Sequence, residues 1–166
     1  MKELKEENES SLIFGIGPFL DKTDEELTKM LIPHGYRFII GDGGSAPLKI
    51  EDSDFPPREG RPEEIDWRTK NAVTPVKYQG INVTKPMFSF KYGVYDPSPE
   101  DCRYQSLGAH AMTIIGYGEL YGVPYWLIKN SWGTQYGIDG YLRMRRGVNS
   151  CGLADAAYTA IITNKH

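Results

Sequence analysis

Thiol and imidazole are both scarce in this sequence. Its 166 residues include two cysteines, Cys102 and Cys151, and three histidines, His34, His110 and His166. None of these stands at a spacing that suits a metal, so no metal site and no cofactor is expected. No stretch approaches the ~18 consecutive apolar residues that a membrane span requires. The opening MKELKEENESSLIF is charged and lacks the apolar run of a signal peptide. A large excess of either charge is absent too: the net charge is −3, with acids and bases mixed along the chain. Neither nucleic acid nor an anionic membrane is expected as a partner. The one basic cluster is Arg143, Arg145 and Arg146, and two of its members alternate with Leu142 and Met144 as the wet face of a strand would.

What is present suits a folded body. A hydrophobic share of 40% and an aromatic share of 12% can fill a core, while eighteen glycines and eleven prolines favour turns and short strands over a helical bundle. Thr23 with Glu26 three residues later reads as a capping box. Leu27, Met30 and Leu31 follow at helical spacing before Pro33 and Gly35 close the segment. From Gly41 to Glu64 the composition turns to Gly, Pro, Asp and Glu, a linker with a boundary near Arg61. Beyond it, short apolar or alternating runs predict strands at Ala72–Lys77, Met87–Tyr95, Ala111–Tyr117, Tyr125–Lys129, Tyr141–Arg145 and Tyr158–Ile162. The middle pair reads as a hairpin turning at Gly122-Val123-Pro124. Residues 1–60, with the helix at Thr23–Leu31, are expected to be loosely attached.

The chemistry concentrates between Leu107 and Gly140. His110 precedes one apolar strand, and Asn130 follows the next, with Ser131, Trp132 and Gly133 directly after it. Such an order suits an imidazole held in one tautomer beside a nucleophile. Cys102 is a poor candidate for that nucleophile, because Glu100 and Asp101 beside it would raise a thiol pKa.

Several blocks resemble the papain-like cysteine peptidases of the cathepsin L type. Ile65-Asp66-Trp67-Arg68 through Ala72-Val73-Thr74-Pro75-Val76-Lys77-Tyr78-Gln79-Gly80 resembles the start of a mature enzyme. VYDPSPEDC, AHAMTIIGYG, YWLIKNSWG, GYLRMRRG and CGLA resemble its C-terminal half, and FLDKTDEEL resembles the end of an inhibitory prosegment. The resemblance implies an α+β fold: the antiparallel β-barrel half of a papain-like fold with few short helices. It divides the chain into a prosegment remnant and linker at 1–60, a mature N-terminal segment at 61–80 and a barrel half at 81–166. It implies His110 as general base and acid, Asn130 as the acceptor that orients it, and Trp132 as the cover over their hydrogen bond. By the same resemblance Gln79 is an oxyanion-hole donor, Ala109 and Ala156 border a substrate pocket, and Cys102 and Cys151 form a disulfide. That bond would place the chain in an oxidising compartment, lysosomal or extracellular.

The sequence departs from this family at the nucleophile. In papain the cysteine motif lies near the mature N-terminus, with His and Asn ~130–150 residues downstream. Here Gly80 is followed by Ile81-Asn82-Val83, and His110 lies 31 residues past Gln79. Roughly a hundred residues of the family's span are absent by that comparison, and the pocket wall is expected to stand open. Three readings follow: a peptidase by descent that is inactive as this chain, a regulatory or binding fragment, and a mis-spliced product. Peptide or protein substrates and an intact relative are the partners implied.

Overall fold

A computed structural model describes residues 13–32, 60–70 and 80–155. The predicted strands at 72–77 and 158–162, most of the linker, Gln79 and Ala156 lie outside the described residues. The chain forms, in order, strand β1 (Ile13–Phe14), helix α1 (Asp24–Thr28), strands β2 (Ile65–Asp66), β3 (Gly80–Thr84) and β4 (Phe90–Tyr92), helix α2 (Pro99–Tyr104), then β5 (Ser106–Ala111), β6 (Thr113–Leu120), β7 (Val123–Lys129) and β8 (Tyr141–Arg145). This is an α+β body of antiparallel sheet with two short helices among the described residues. Its largest sheet runs β2-β6-β7-β8, and β3-β5 and β1-β4 form two smaller ones.

The β6–β7 hairpin turns one residue earlier than the Gly-Val-Pro signal suggests. Leu120 pairs with Val123, leaving Tyr121 and Gly122 as a two-residue loop with φ of 49° and 78°. Positive φ at both positions fits the twist of the flanking strands, and glycine carries it without strain. On β8, Leu142 and Met144 point inward and are fully buried. Two arginines of the cluster, Arg143 and Arg146, are not simply wet, a correction to the expectation. Arg143 lies over the rings of Tyr92 and Tyr125, 5.3 Å from each centroid, and Arg146 lies over Tyr117 and Trp126 at 5.2 and 5.7 Å. Guanidinium is weakly hydrated and planar, so aromatic faces can take it out of water where an ammonium would resist.

Two local readings change in the structure, and one helix was not read at all. His110 sits inside a strand rather than ahead of one, because the apolar run at 106–120 is split by Met112 into β5 and β6. The stretch 85–89 is a 3-10 turn ahead of β4, opened by Pro86 near its start. Helix α2 has a complete capping box, with Ser98 Oγ accepting from the Asp101 N–H and the Asp101 carboxylate accepting from the Ser98 N–H. That Ser-Pro-x-Asp signal was present in the sequence and marks the helix in hindsight.

The α1 region is anchored, contrary to expectation. Its Thr23–Glu26 capping box forms as read. Phe19, Leu27 and Leu31 are 9%, 3% and 7% exposed and join the main core with Ile81, Val83, Met87, Phe90, Met112, Ile128 and Tyr136. Five helical residues cannot hold themselves; burial of those three side chains does the holding. At the other end of the body, Cys102 on α2 and Cys151 are joined in a disulfide with a Cα–Cα distance of 4.9 Å, the pairing implied by the resemblance.

Candidate functional site

Strands β5 and β7 and the turn after β7 set the site. His110 is the fifth residue of β5 and lies opposite Ile81 of β3. Asn130 directly follows β7, and its backbone N–H donates to Gly140 O at 3.0 Å. The two side chains meet: His110 Nε2 and Asn130 Oδ1 are 2.8 Å apart, both residues buried. The backbone N–H of Ser131 donates to the same Oδ1 at 2.7 Å. A backbone N–H can only donate, which fixes that atom as oxygen, so Nε2 must carry a proton to bond it. The neutral ring therefore has its lone pair on Nδ1. The sequence order alone suggested such a couple, and the fold brings its two members together.

Aromatic rings enclose the couple. Trp132 stacks on His110 with centroids 4.9 Å apart and planes at 14°, and on Phe88 at 4.4 Å and 8°. Phe19 meets Trp132 edge-on at 5.5 Å, and Tyr136 does so at 5.0 Å. Tyr136 is fully buried and donates its hydroxyl to Met87 O at 3.0 Å, while burial pushes its pKa far up. Excluding water strengthens the His110–Asn130 hydrogen bond and disfavours charge on the ring. Burial holds the His110 pKa below its ordinary value, and the Asn130 bond offsets that only in part. The ring is thus neutral at pH 7. Asn130 Nδ2 is buried without a hydrogen-bond partner among the described residues.

The N-terminal strap reaches this site. Ile32 N–H donates to Ala109 O at 2.7 Å and Ala109 N–H donates back to Ile32 O at 2.9 Å, so β5 is flanked by β3 on one edge and the strap on the other. Leu31 packs over Gly108, where an added Cβ would lie 2.9 Å from the Leu31 Cβ. The backbone of Ala109, a residue expected to border a substrate pocket, is bridged by the strap. Phe19 and Phe88 are the residues that reading by sequence missed. Phe19 lies inside FLDKTDEEL, but nothing local says which ring it will meet.

Chemically, the arrangement can hold a neutral imidazole with a basic Nδ1. It does not supply a thiol: the two cysteines of the sequence are both in the disulfide. Among the described residues no three His, Cys, Asp or Glu side chains are grouped to hold a metal ion.

Comparison with known proteins gives this geometry a context. The profile of the papain family cysteine protease matches residues 80–161. A viral cathepsin of Spodoptera exigua nuclear polyhedrosis virus is 66% identical over 44 residues, 26% of this chain and 13% of its own length. Cysteine proteinase 3 of Solanum lycopersicum is 39% identical over 100 residues, 58% of this chain and 28% of its own. Pro-cathepsin H of Mus musculus is 43% identical over 84 residues, 50% of this chain and 24% of its own. Among solved structures, procathepsin B S9 from Trypanosoma congolense is 39% identical, with 45% of this chain and 24% of that chain covered and a TM-score of 0.41. The chain thus spans between 13% and 28% of the length of these relatives.

Proposed function

Residues 80–161 belong to the papain family of cysteine proteases, and from that membership we propose that this chain is a catalytically silent relative of those peptidases. The observation that carries the reading is the fate of sulfur. His110 and Asn130 keep the 2.8 Å bond of a base and its orienting acceptor, yet both cysteines are tied to each other. A serine hydroxyl is no substitute in this reading, since Ser131, the serine next to the couple, is exposed while His110 is buried. Loss of the nucleophile from a triad costs on the order of 10⁶ in turnover, about 8 kcal/mol of barrier.

In this reading His110, Asn130 and Trp132 keep inherited places as base, orienting acceptor and water shield. Gln79 is the inherited oxyanion donor, and Ala109 and Ala156 the inherited pocket lining. Peptides are the inherited substrate class. Residues 13–32 are a prosegment remnant whose Phe19 and Leu31 lie against the Trp132 ring and Gly108. The disulfide favours the lysosome or the extracellular space as location. The test is a fluorogenic dipeptide assay with a thiol activator, run beside an intact family peptidase and followed by an epoxide trap for active-site cysteine. We expect no turnover above buffer and no epoxide adduct by intact mass. Turnover that the epoxide abolishes would overturn the proposal.

A binding role for the same body is the second reading. It is favoured by the strap's outward apolar side chains, Ile16 at 81% and Leu20 at 67% exposed, which are free to meet a partner such as an intact relative. Co-elution with an intact family peptidase on size exclusion, lost in Ile16→Ser/Leu20→Ser, would support it, and no co-elution would discard it.

A further inference from the structure

We propose that Asn82 is an N-glycan acceptor and that its first sugar lies in an open recess between α2 and the turn at Ser150–Gly152. Asn82-Val83-Thr84 has the Asn-x-Thr pattern with valine, not proline, in the middle. The pattern alone is common by chance; the structure adds three observations. Asn82 is exposed, whereas Ile81, Val83 and Thr84 are at most 1% exposed, so the acceptor is the one residue of its neighbourhood turned outward. It stands on β3, which pairs only with β5 among the described strands. Beside it opens a recess of about 410 Å³ whose lining includes Arg103, Ser106, Asn149 and Asp155. These polar groups suit the hydroxyls and acetamide of a hexosamine.

The disulfide supplies the compartment, because the oxidising lumen in which it forms is also where asparagine-linked sugars are added. In the transfer, Asn82 Nδ2 forms a bond to the anomeric carbon of an oligosaccharide held on a polyprenyl diphosphate. The bond from that carbon to the diphosphate oxygen breaks, and an amide proton leaves to base as the lipid diphosphate departs. No oxidation or reduction is involved. The fold also sets the order of events. Thr84 Oγ1 is buried and hydrogen-bonded to Tyr95 Oη, so a transferase needing that hydroxyl must act before Tyr95 docks. Asn82 precedes Cys102 and Cys151 in the chain, and transfer can therefore come before the disulfide closes. A sugar chain here would rise from the residue paired with Ala109. The inference stands whether or not the chain is catalytically silent.

The test is translation of the full chain behind an added leader into microsomes, read only on the pool that the membrane protects from added protease. The one other Asn-x-Ser/Thr triplet, Asn8-Glu9-Ser10, is removed throughout by Asn8→Gln. We expect a glycosidase-sensitive mobility shift in this chain and in Thr84→Ser, lost in Asn82→Gln. Peptide mapping should then find aspartate at position 82 after glycosidase release. Chain folded beforehand and supplied to opened microsomes should remain unmodified. A protected Asn8→Gln chain with no glycosidase shift would overturn the proposal, as would a shift that survives Asn82→Gln.

Discussion

Replacing Phe19 by alanine tests whether the N-terminal strap is truly fastened to the site. The ring is 9% exposed and lies 5.4 Å from Phe88 and 5.5 Å from Trp132, edge-on to both. Buried Phe→Ala substitutions cost about 3–5 kcal/mol. If Phe19 anchors only the strap, that cost falls on local opening and not on the body. The readout is amide hydrogen exchange under native conditions. The Ile32 amide, bonded to Ala109 O, and the Gly15 amide, bonded to Ser89 O at 2.9 Å, report the two ends of the strap. The lower bound of 3 kcal/mol corresponds to about a 150-fold loss of their protection, at 1.4 kcal/mol per factor of ten. Amides of the β6–β7 hairpin should change far less, because they open with the global transition. A fall of under about fivefold at Ile32, about 1 kcal/mol, would refute the anchoring. An equal loss in the hairpin would refute local opening and make the strap part of one cooperative unit.

Other outcomes follow from the same geometry. Gly108→Ala should loosen the same strap by about 1–3 kcal/mol through overpacking, since the new Cβ meets Leu31 Cβ at 2.9 Å and Ile32 O at 3.0 Å; unchanged Ile32 exchange would contradict it. Cys102→Ser with Cys151→Ser opens a loop of 49 residues, which the chain-entropy account values at about 4 kcal/mol; urea unfolding showing under 1 kcal/mol would count against it. The His110 ring should titrate by NMR below the ordinary histidine value, and lower still in Asn130→Ala, because Asn130 is the group that raises it. With the folded pKa depressed, the unfolded chain binds more protons between the two values. Stability from this residue is therefore complete above about pH 6.5 and is lost as pH falls through the folded value. A pH-independent urea midpoint across that window, with His110→Asn behaving identically, would refute the assignment.

Local chemistry made much of this protein legible in advance. The capping box at Thr23 and Glu26 needs only its own four residues, and it forms as written. The alternation in 141–145 is set by one strand's pleat, and β8 has those very bounds. The absence of a spare sulfur is likewise a property of composition once the two cysteines are paired. Other elements were not legible for physical reasons. The stretch 106–120 carries no polar or turn residue at Met112 to mark a boundary, so periodicity could not place the break there that puts His110 within β5. Arg143 and Arg146 were read from their own stretch of chain, while their surroundings are Tyr92, Tyr117, Tyr125 and Trp126 from other strands.

Composition and order supplied the groups: an imidazole followed at a distance by an amide and an indole, and two cysteines whose pairing leaves no free thiol. Only tertiary structure decided what surrounds them. Phe19 and Leu31 lie far from Trp132 and Gly108 in the chain, and a five-residue helix has no propensity strong enough to direct them there. They arrive because burying rings and aliphatic carbons against β5 and the Phe88–Trp132 stack removes apolar surface from water. Such burial depends on which surfaces the rest of the fold leaves uncovered, and no local pattern of residues encodes it.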